Sequence, residues 1–202
     1  HGIKTTDEEI ISLFAKFESE AIKLNQQKNY REILTQTHQS IALHYNINPD
    51  TTLSSNQLSS SVQHWPLYED TVSALQYLQK HYKLAILSNI DNQSIASTCS
   101  SLKADFIATY TAEDIGSYKP NTRNFKTLID ELAQFGYTAK DILHVSVSLF
   151  HDHVPAQKLG LATCLIKRPS FFTSSISTNT SGVSCQPNLE LNTLGELANL
   201  HK

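Results

Sequence analysis

KLAILSNID (83–91) decides the fold. The apolar run Leu84–Leu87 is too short for a helix and stops at Ser88-Asn89, which reads as a buried parallel strand with polar groups at its carboxyl end. Two later runs share that texture, ILHVSV (142–147) and ATCLI (162–166), and a shorter strand is expected at 106–109. Amphipathic helices are expected between them, at 69–80, 93–102, 124–135 and 154–159. Alternating strand and helix predicts an α/β protein with a doubly wound, Rossmann-like parallel sheet.

The chain before Trp65-Pro66 has a different character. Residues 7–24 place Ile10, Ile11, Phe14, Phe17, Ala21 and Leu24 on one helical face, with acids in the first turn. Residues 29–45 repeat the pattern through Ile33, Leu34, Ile41 and Leu43, and residues 46–64 are polar and turn-rich. The division expected is a small helical unit over 1–64 and an α/β core over 65–202. The Ser/Thr-rich stretch 170–188 reads as a mobile surface loop, and 189–200 as a closing helix.

Composition narrows the function. A chain of 202 residues suits one α/β domain with an appendage. A net charge of -3 and a pI near 6.3 argue against nucleic acid and anionic membrane as partners. No apolar run approaches the roughly 20 residues that span a bilayer. Cys99, Cys164 and Cys185 form no CxxC or finger spacing, so free thiols in a reducing, cytoplasmic setting are expected. The sequence lacks methionine and opens on His1 with no cleavable apolar segment, so it is expected not to be a primary translation product.

Ligands of open parallel sheets bind at the carboxyl ends of the strands. Ser88 and Asn89 end one strand there, Lys119 follows another through a loop, and Ser146, Ser148, His151 and Asp152 follow a third. Each has a plainer reading. Ser88-Asn89 could cap the next helix, Lys119 could be a solvated loop lysine, and Asp152 could be an N-cap before Val154. Their occurrence together, in that order, favours one crevice.

ILSNID (86–91), GSYKPNTRNF (116–125) and HVSVSLFHDHVPAQKLGL (144–161) together resemble the haloacid-dehalogenase-like (HAD-like) superfamily, in particular its type II haloacid dehalogenase subgroup. WPLYEDTVSALQYL (65–78) resembles the segment that re-enters the core from the cap. The resemblance covers nearly the whole chain. It implies a Rossmann-like core with a small helical cap, acting on a small organic substrate without a cofactor. It further implies that Ser88, Asn89 and Ser148 bind substrate or leaving group, that Lys119 neutralises the charge of a nucleophilic carboxylate, and that Asp152 holds Lys119 or orients water.

The family's nucleophile is an aspartate in a DxDxT or DxYGT block, at the end of a first strand that precedes the cap. HGIKTTDEE resembles the stretch just after that block, and none of Asp7, Asp50 or Asp70 ends an apolar strand run. In this fold the first strand lies between the KLAILS and ILHVSV strands. The expectation is therefore that these strands belong to one sheet and either flank a further strand or pair directly. A preceding segment, or a partner chain as in a homodimer, would complete the sheet. No acid occurs between Asp141 and Asp152, so the paired carboxylates of a Mg²⁺ site are not visible. His151 and His153 have no third ligand for zinc. The sequence leaves open a hydrolase, a relative without the nucleophile recruited to non-hydrolytic chemistry such as cyclisation or isomerisation or to small-molecule binding, and an interaction module.

Overall fold

A computed structural model describes residues 3–49, 56–168 and 185–201. Most of the stretch read as a mobile loop lies outside the described residues. Two long helices lead the chain, α1 (Asp7–Leu24) and α2 (Tyr30–His44), followed by the short α3 (Gln57–Ser61). Thr6 starts α1 by accepting the Glu9 N–H at 3.2 Å, and Asp7, Glu8 and Glu9 complement the positive end of the helix dipole. Asn29 and Glu32 start α2 with a reciprocal capping box, 3.0 Å each way, worth about 1 kcal/mol. Ala21, Ile22, Tyr30, Ile33, Leu34 and Val62 form one buried cluster with Ala112 and Tyr118 of the core, so the helical cap is packed onto the α/β body.

That body runs α4 (Thr71–Leu78), β1 (Leu84–Ser88), α5 (Asn92–Leu102), β2 (Phe106–Thr111), α6 (Ala112–Ile115), α7 (Thr122–Ala133), β3 (Leu143–Ser146), α8 (Val154–Lys158), β4 (Ala162–Ile166), β5 (Leu189–Leu191) and α9 (Leu194–Leu200). Every strand pairing is parallel. The α/β class, the parallel strands and the helical cap agree with the expectation from sequence.

The ladder between β1 and β3 does not. β1 pairs with β2, and β3 pairs with β4 and β4 with β5, in two separate hydrogen-bonded sheets. The strands at 83–88 and 142–147 therefore neither pair directly nor flank a further strand among the described residues. The two sheets are joined through their packing instead. Leu87 of β1 and Ile142, next to β3, both rest against the buried cluster of Phe125, Ala156 and Leu161.

A second correction follows from the first. Both KLAILS and ILHVSV read as buried strands, yet no residue of β1 or β3 is fully buried, whereas four of the five in β4 are. Leu143 and Val147 are 43% and 41% exposed. A parallel strand is buried by helices on its faces and by strands on both edges. β4 has both neighbours, and β1 and β3 each have one.

The expected closing helix is also divided. Leu189–Leu191 pairs with β4, Cys164 opposite Leu189, and the helix starts only at Leu194. Thr193 sets that start by accepting the Glu196 N–H at 3.1 Å. The start of α4 is tied to the same end of the body by Asp70, which pairs with Arg168 and accepts the Gly195 N–H at 2.9 Å. Among the described residues no helix is long and apolar enough to cross a membrane.

Candidate active site at the carboxyl ends of beta1 and beta3

Lys119 reaches the site on a loop that the sequence fixes at several points. Gly116 closes α6 with φ +66°, a left-handed conformation that disfavours a side chain. The Tyr118 hydroxyl donates to the Lys28 carbonyl at 2.7 Å, which binds the loop to the cap. Fully buried Asn124 donates to the Ser117 carbonyl at 2.5 Å. The peptide between Lys119 and Pro120 is cis. Asn89, just beyond β1, grips the backbone of Lys119 from both sides. It accepts the Lys119 N–H at 2.7 Å and donates to the Lys119 carbonyl at 3.1 Å.

The side chain of Lys119 is not solvated. Its ammonium donates to Oδ1 of Asp152 at 2.6 Å and to the Leu87 carbonyl of β1 at 3.0 Å. It thus bridges the main chain of β1 and the turn that follows β3. Asp152 lies within a wide helical turn, Leu149–His153, and does not cap α8. Ser148 organises that turn: its hydroxyl accepts the His151 N–H at 3.1 Å and its carbonyl accepts the Asp152 N–H at 3.2 Å.

Oδ1 of Asp152 has a second partner that sequence reasoning missed. Nε2 of His144 lies 3.0 Å away, and the His144 ring packs edge-on against Phe125. The signal was present: a single titratable residue inside an otherwise apolar strand run needs a polar partner. Burial pushes the Asp152 carboxyl up, but the Lys119 charge and the His144 contact outweigh it and hold it well below the usual carboxylate range. Burial pushes the neighbouring imidazoles of His151 and His153 down, so both are neutral at pH 7.

The structure brings Lys119, Asp152, Asn89 and the Ser148 turn into one connected network. Ser88 ends β1 beside it, where its hydroxyl accepts the Ile90 N–H at 3.3 Å. Neither Ser88 nor Asn89 caps α5, because Asp91 does, accepting the Ser94 N–H at 2.9 Å. His151 and His153 do not converge. One lies against the Ser148 hydroxyl at 3.3 Å, the other against the Ser146 hydroxyl at 2.9 Å.

Among the described residues no three His, Cys, Asp or Glu side chains gather where an ion could sit. At this corner Asp152 is the one carboxylate, and Lys119 and His144 already hold one of its oxygens. That donor set does not fit Mg²⁺, which takes several oxygen ligands, so no step is routed through a metal.

A parallel-stranded core under a helical cap, with a lysine–aspartate pair at the strand ends, defines a class, and the sequence profile agrees: residues 3–166 match the haloacid dehalogenase-like hydrolase family, and the chain belongs to it. Among solved structures the chain is similar to L-2-haloacid dehalogenase from Xanthobacter autotrophicus, at 16% identity and a TM-score of 0.77 over 95% of this chain and 85% of that one. It is similar to the putative HAD-hydrolase YfnB from Bacillus subtilis, determined with magnesium bound, at 17% identity and a TM-score of 0.71 over 98% and 84%. It is also similar to a HAD phosphatase from Thermococcus onnurineus, at 20% identity and a TM-score of 0.57 over 91% of each chain. At these identities the likeness is one of fold. No curated protein sequence matches the chain.

Proposed function

We propose that this chain is the cap and most of the core of a HAD-like hydrolase that acts on a small organic molecule in the manner of a haloacid dehalogenase, with its reaction centre at Lys119 and Asp152. The observation that carries the reading is the position of the Lys119 ammonium. It lies between the carboxyl end of β1 and the turn after β3, where its hydrogen-bond partners among the described residues are Asp152 and the Leu87 carbonyl. An ammonium held there can stabilise a nucleophilic carboxylate and the charge that shifts during displacement. In this reading the carboxylate comes from a strand lying between β1 and β3, supplied by a preceding segment or by a partner chain. The incomplete burial of both strands, and the one unpaired edge that each has among the described residues, support that placement. In this reading Ser88 and Ser148 bind substrate or leaving group, and Asn89 contributes by fixing Lys119. Three free cysteines suit a reducing, cytoplasmic setting.

The test is an assay of this chain, with intact mass confirmed, against 2-haloacids and a panel of phosphomonoesters, beside Lys119→Ala. Both reactions in this family pass through an aspartyl intermediate, and no aspartate of this chain ends an apolar strand run as that nucleophile does. The expected result is no turnover by either protein. Turnover that Lys119→Ala abolishes would mean that another residue serves as nucleophile. A second reading, non-hydrolytic chemistry such as isomerisation, is favoured by the His144–Asp152 contact, because a held carboxylate can accept a proton without forming a covalent intermediate.

A further inference from the structure

The two oxygens of Asp152 are used unequally. Oδ1 takes both available donors, Lys119 Nζ at 2.6 Å and His144 Nε2 at 3.0 Å. Oδ2 has no hydrogen bond among the described residues, and it is not one of the sealed, orphaned buried atoms. It is therefore open to solvent although the residue is 6% exposed overall. His144 is similarly one-sided: Nε2 faces Asp152, while Nδ1 has no hydrogen bond among the described residues and is not one of the sealed buried atoms. For Nε2 to bond an ionised carboxylate it must carry the proton, which fixes the tautomer.

We propose that His144 is a positioning residue that, with Lys119, pins Oδ1 of Asp152 and so presents Oδ2 to the crevice as an acceptor for a hydroxyl group or a water molecule of a small polar ligand. The inference rests on the reading of the Lys119–Asp152 corner as the reaction centre, and it applies equally to hydrolytic and non-hydrolytic chemistry there. A carboxylate held by Lys119 alone could rotate about its terminal torsion and exchange its two oxygens. A second donor on the same oxygen, from a ring that is itself packed against fully buried Phe125, removes that freedom. Lys119, His144, His151 and His153 are the titratable groups that act on Asp152 or feel its charge, and the two last are neutral at pH 7. A carboxylate kept ionised, with one oxygen fixed and one free, is suited to orienting an O–H group.

The test is nuclear magnetic resonance on the whole chain with labelled histidine and aspartate, comparing wild type with His144→Gln and His144→Phe. Glutamine can place an amide donor near the position of Nε2, and phenylalanine cannot. The expected wild-type result is a His144 ring protonated on Nε2 at neutral pH. The Asp152 titration midpoint should move toward the ordinary carboxylate range in His144→Phe and stay near wild type in His144→Gln. A His144 ring protonated on Nδ1 alone, with Nε2 bare, would overturn the proposal, even if His144→Phe fails to fold. So would an Asp152 midpoint unmoved in a folded His144→Phe. Where turnover is available from the completed enzyme, His144→Phe should lower kcat on the order of tenfold and His144→Gln should restore most of it. Failure to find any substrate would count against the hydrolase reading alone, since the resonance measurements need none.

Discussion

Lys119 Nζ stands 2.6 Å from Oδ1 of Asp152 and 3.0 Å from the Leu87 carbonyl, and so links the end of β1 to the turn after β3, which no strand pairing joins among the described residues. Both side chains are about nine-tenths buried, at 12% and 9% exposure. Removing the cation would leave Asp152 charged, buried and without its strongest partner. Lys119→Met should therefore cost about 3–5 kcal/mol of unfolding free energy in urea titrations. The double change Lys119→Met, Asp152→Leu should cost less than Lys119→Met alone. A double change that costs the sum of the two single changes would show that the pair is not energetically coupled.

Asn89 gives a second, separable test. Its amide makes two hydrogen bonds to the backbone of Lys119. Asn89→Ala should lose both and cost about 1–3 kcal/mol. Asn89→Asp keeps the acceptor for the Lys119 N–H and should cost less than Asn89→Ala, read from the same denaturation curves. Unchanged stability in Asn89→Ala would remove Asn89 from the positioning of Lys119.

Five groups are depressed in the folded state, Asp70 and Asp141 among them, and three of the five, His151, Asp152 and His153, sit at the candidate site. Burial lowers the His151 and His153 imidazoles. Burial raises the Asp152 carboxyl, but Lys119 and His144 lower it further, to well below the usual range. A group depressed in the folded state contributes fully above its unfolded pKa and loses that contribution as pH falls. The histidine part should fade below about pH 6.5 and the Asp152 part below about pH 4. Glu18 acts in the opposite sense. Burial raises its carboxyl, more than the Tyr30 hydrogen bond lowers it, so its contribution is present in acid and is lost as pH rises. The net expectation is a two-stage loss of stability on acidification, measured as urea midpoints from pH 8 to pH 3. A midpoint that rises steadily as pH falls from 7 to 5 would contradict it.

Hydrogen exchange should report the divided sheet. β4 has paired neighbours on both edges, and β1 and β3 on one edge each. Amides of 84–88 and 143–146 should exchange faster than those of 162–166, because those strands are half-exposed and singly paired. Equal protection of all three strands would mean that the open edges are covered in solution.

Much of this architecture was legible in the sequence. Period and length separated the strands KLAILS and ILHVSV from the helices, because those signals are local. Their burial was misjudged because it depends on which strand lies alongside, and a run of apolar residues does not record its neighbour. The three-residue strand LEL (189–191) was absorbed into the following helix because it is too short to show its own alternation. The order of motifs points to Lys119 and Asp152, and the fold brings the two side chains into contact. The sequence points to Asn89 as well, but an amide at a strand end does not reveal which groups it bonds, and its grip on the Lys119 backbone is visible only in the fold. His144 was read as part of a strand, and only the fold brings it to Oδ1 of Asp152.

In the proposed reading, Lys119 and Asp152 await a carboxylate supplied from a strand between β1 and β3. The most direct measurement joins an FDxYGT-like strand segment to the start of this chain and follows halide release from a 2-haloacid, beside the same fusion carrying Lys119→Ala. The expected result is release by the fusion, none by the chain alone, and loss of release in the Lys119→Ala fusion. Halide release by the chain alone at the same rate as the fusion, or a fusion indifferent to Lys119→Ala, would contradict it.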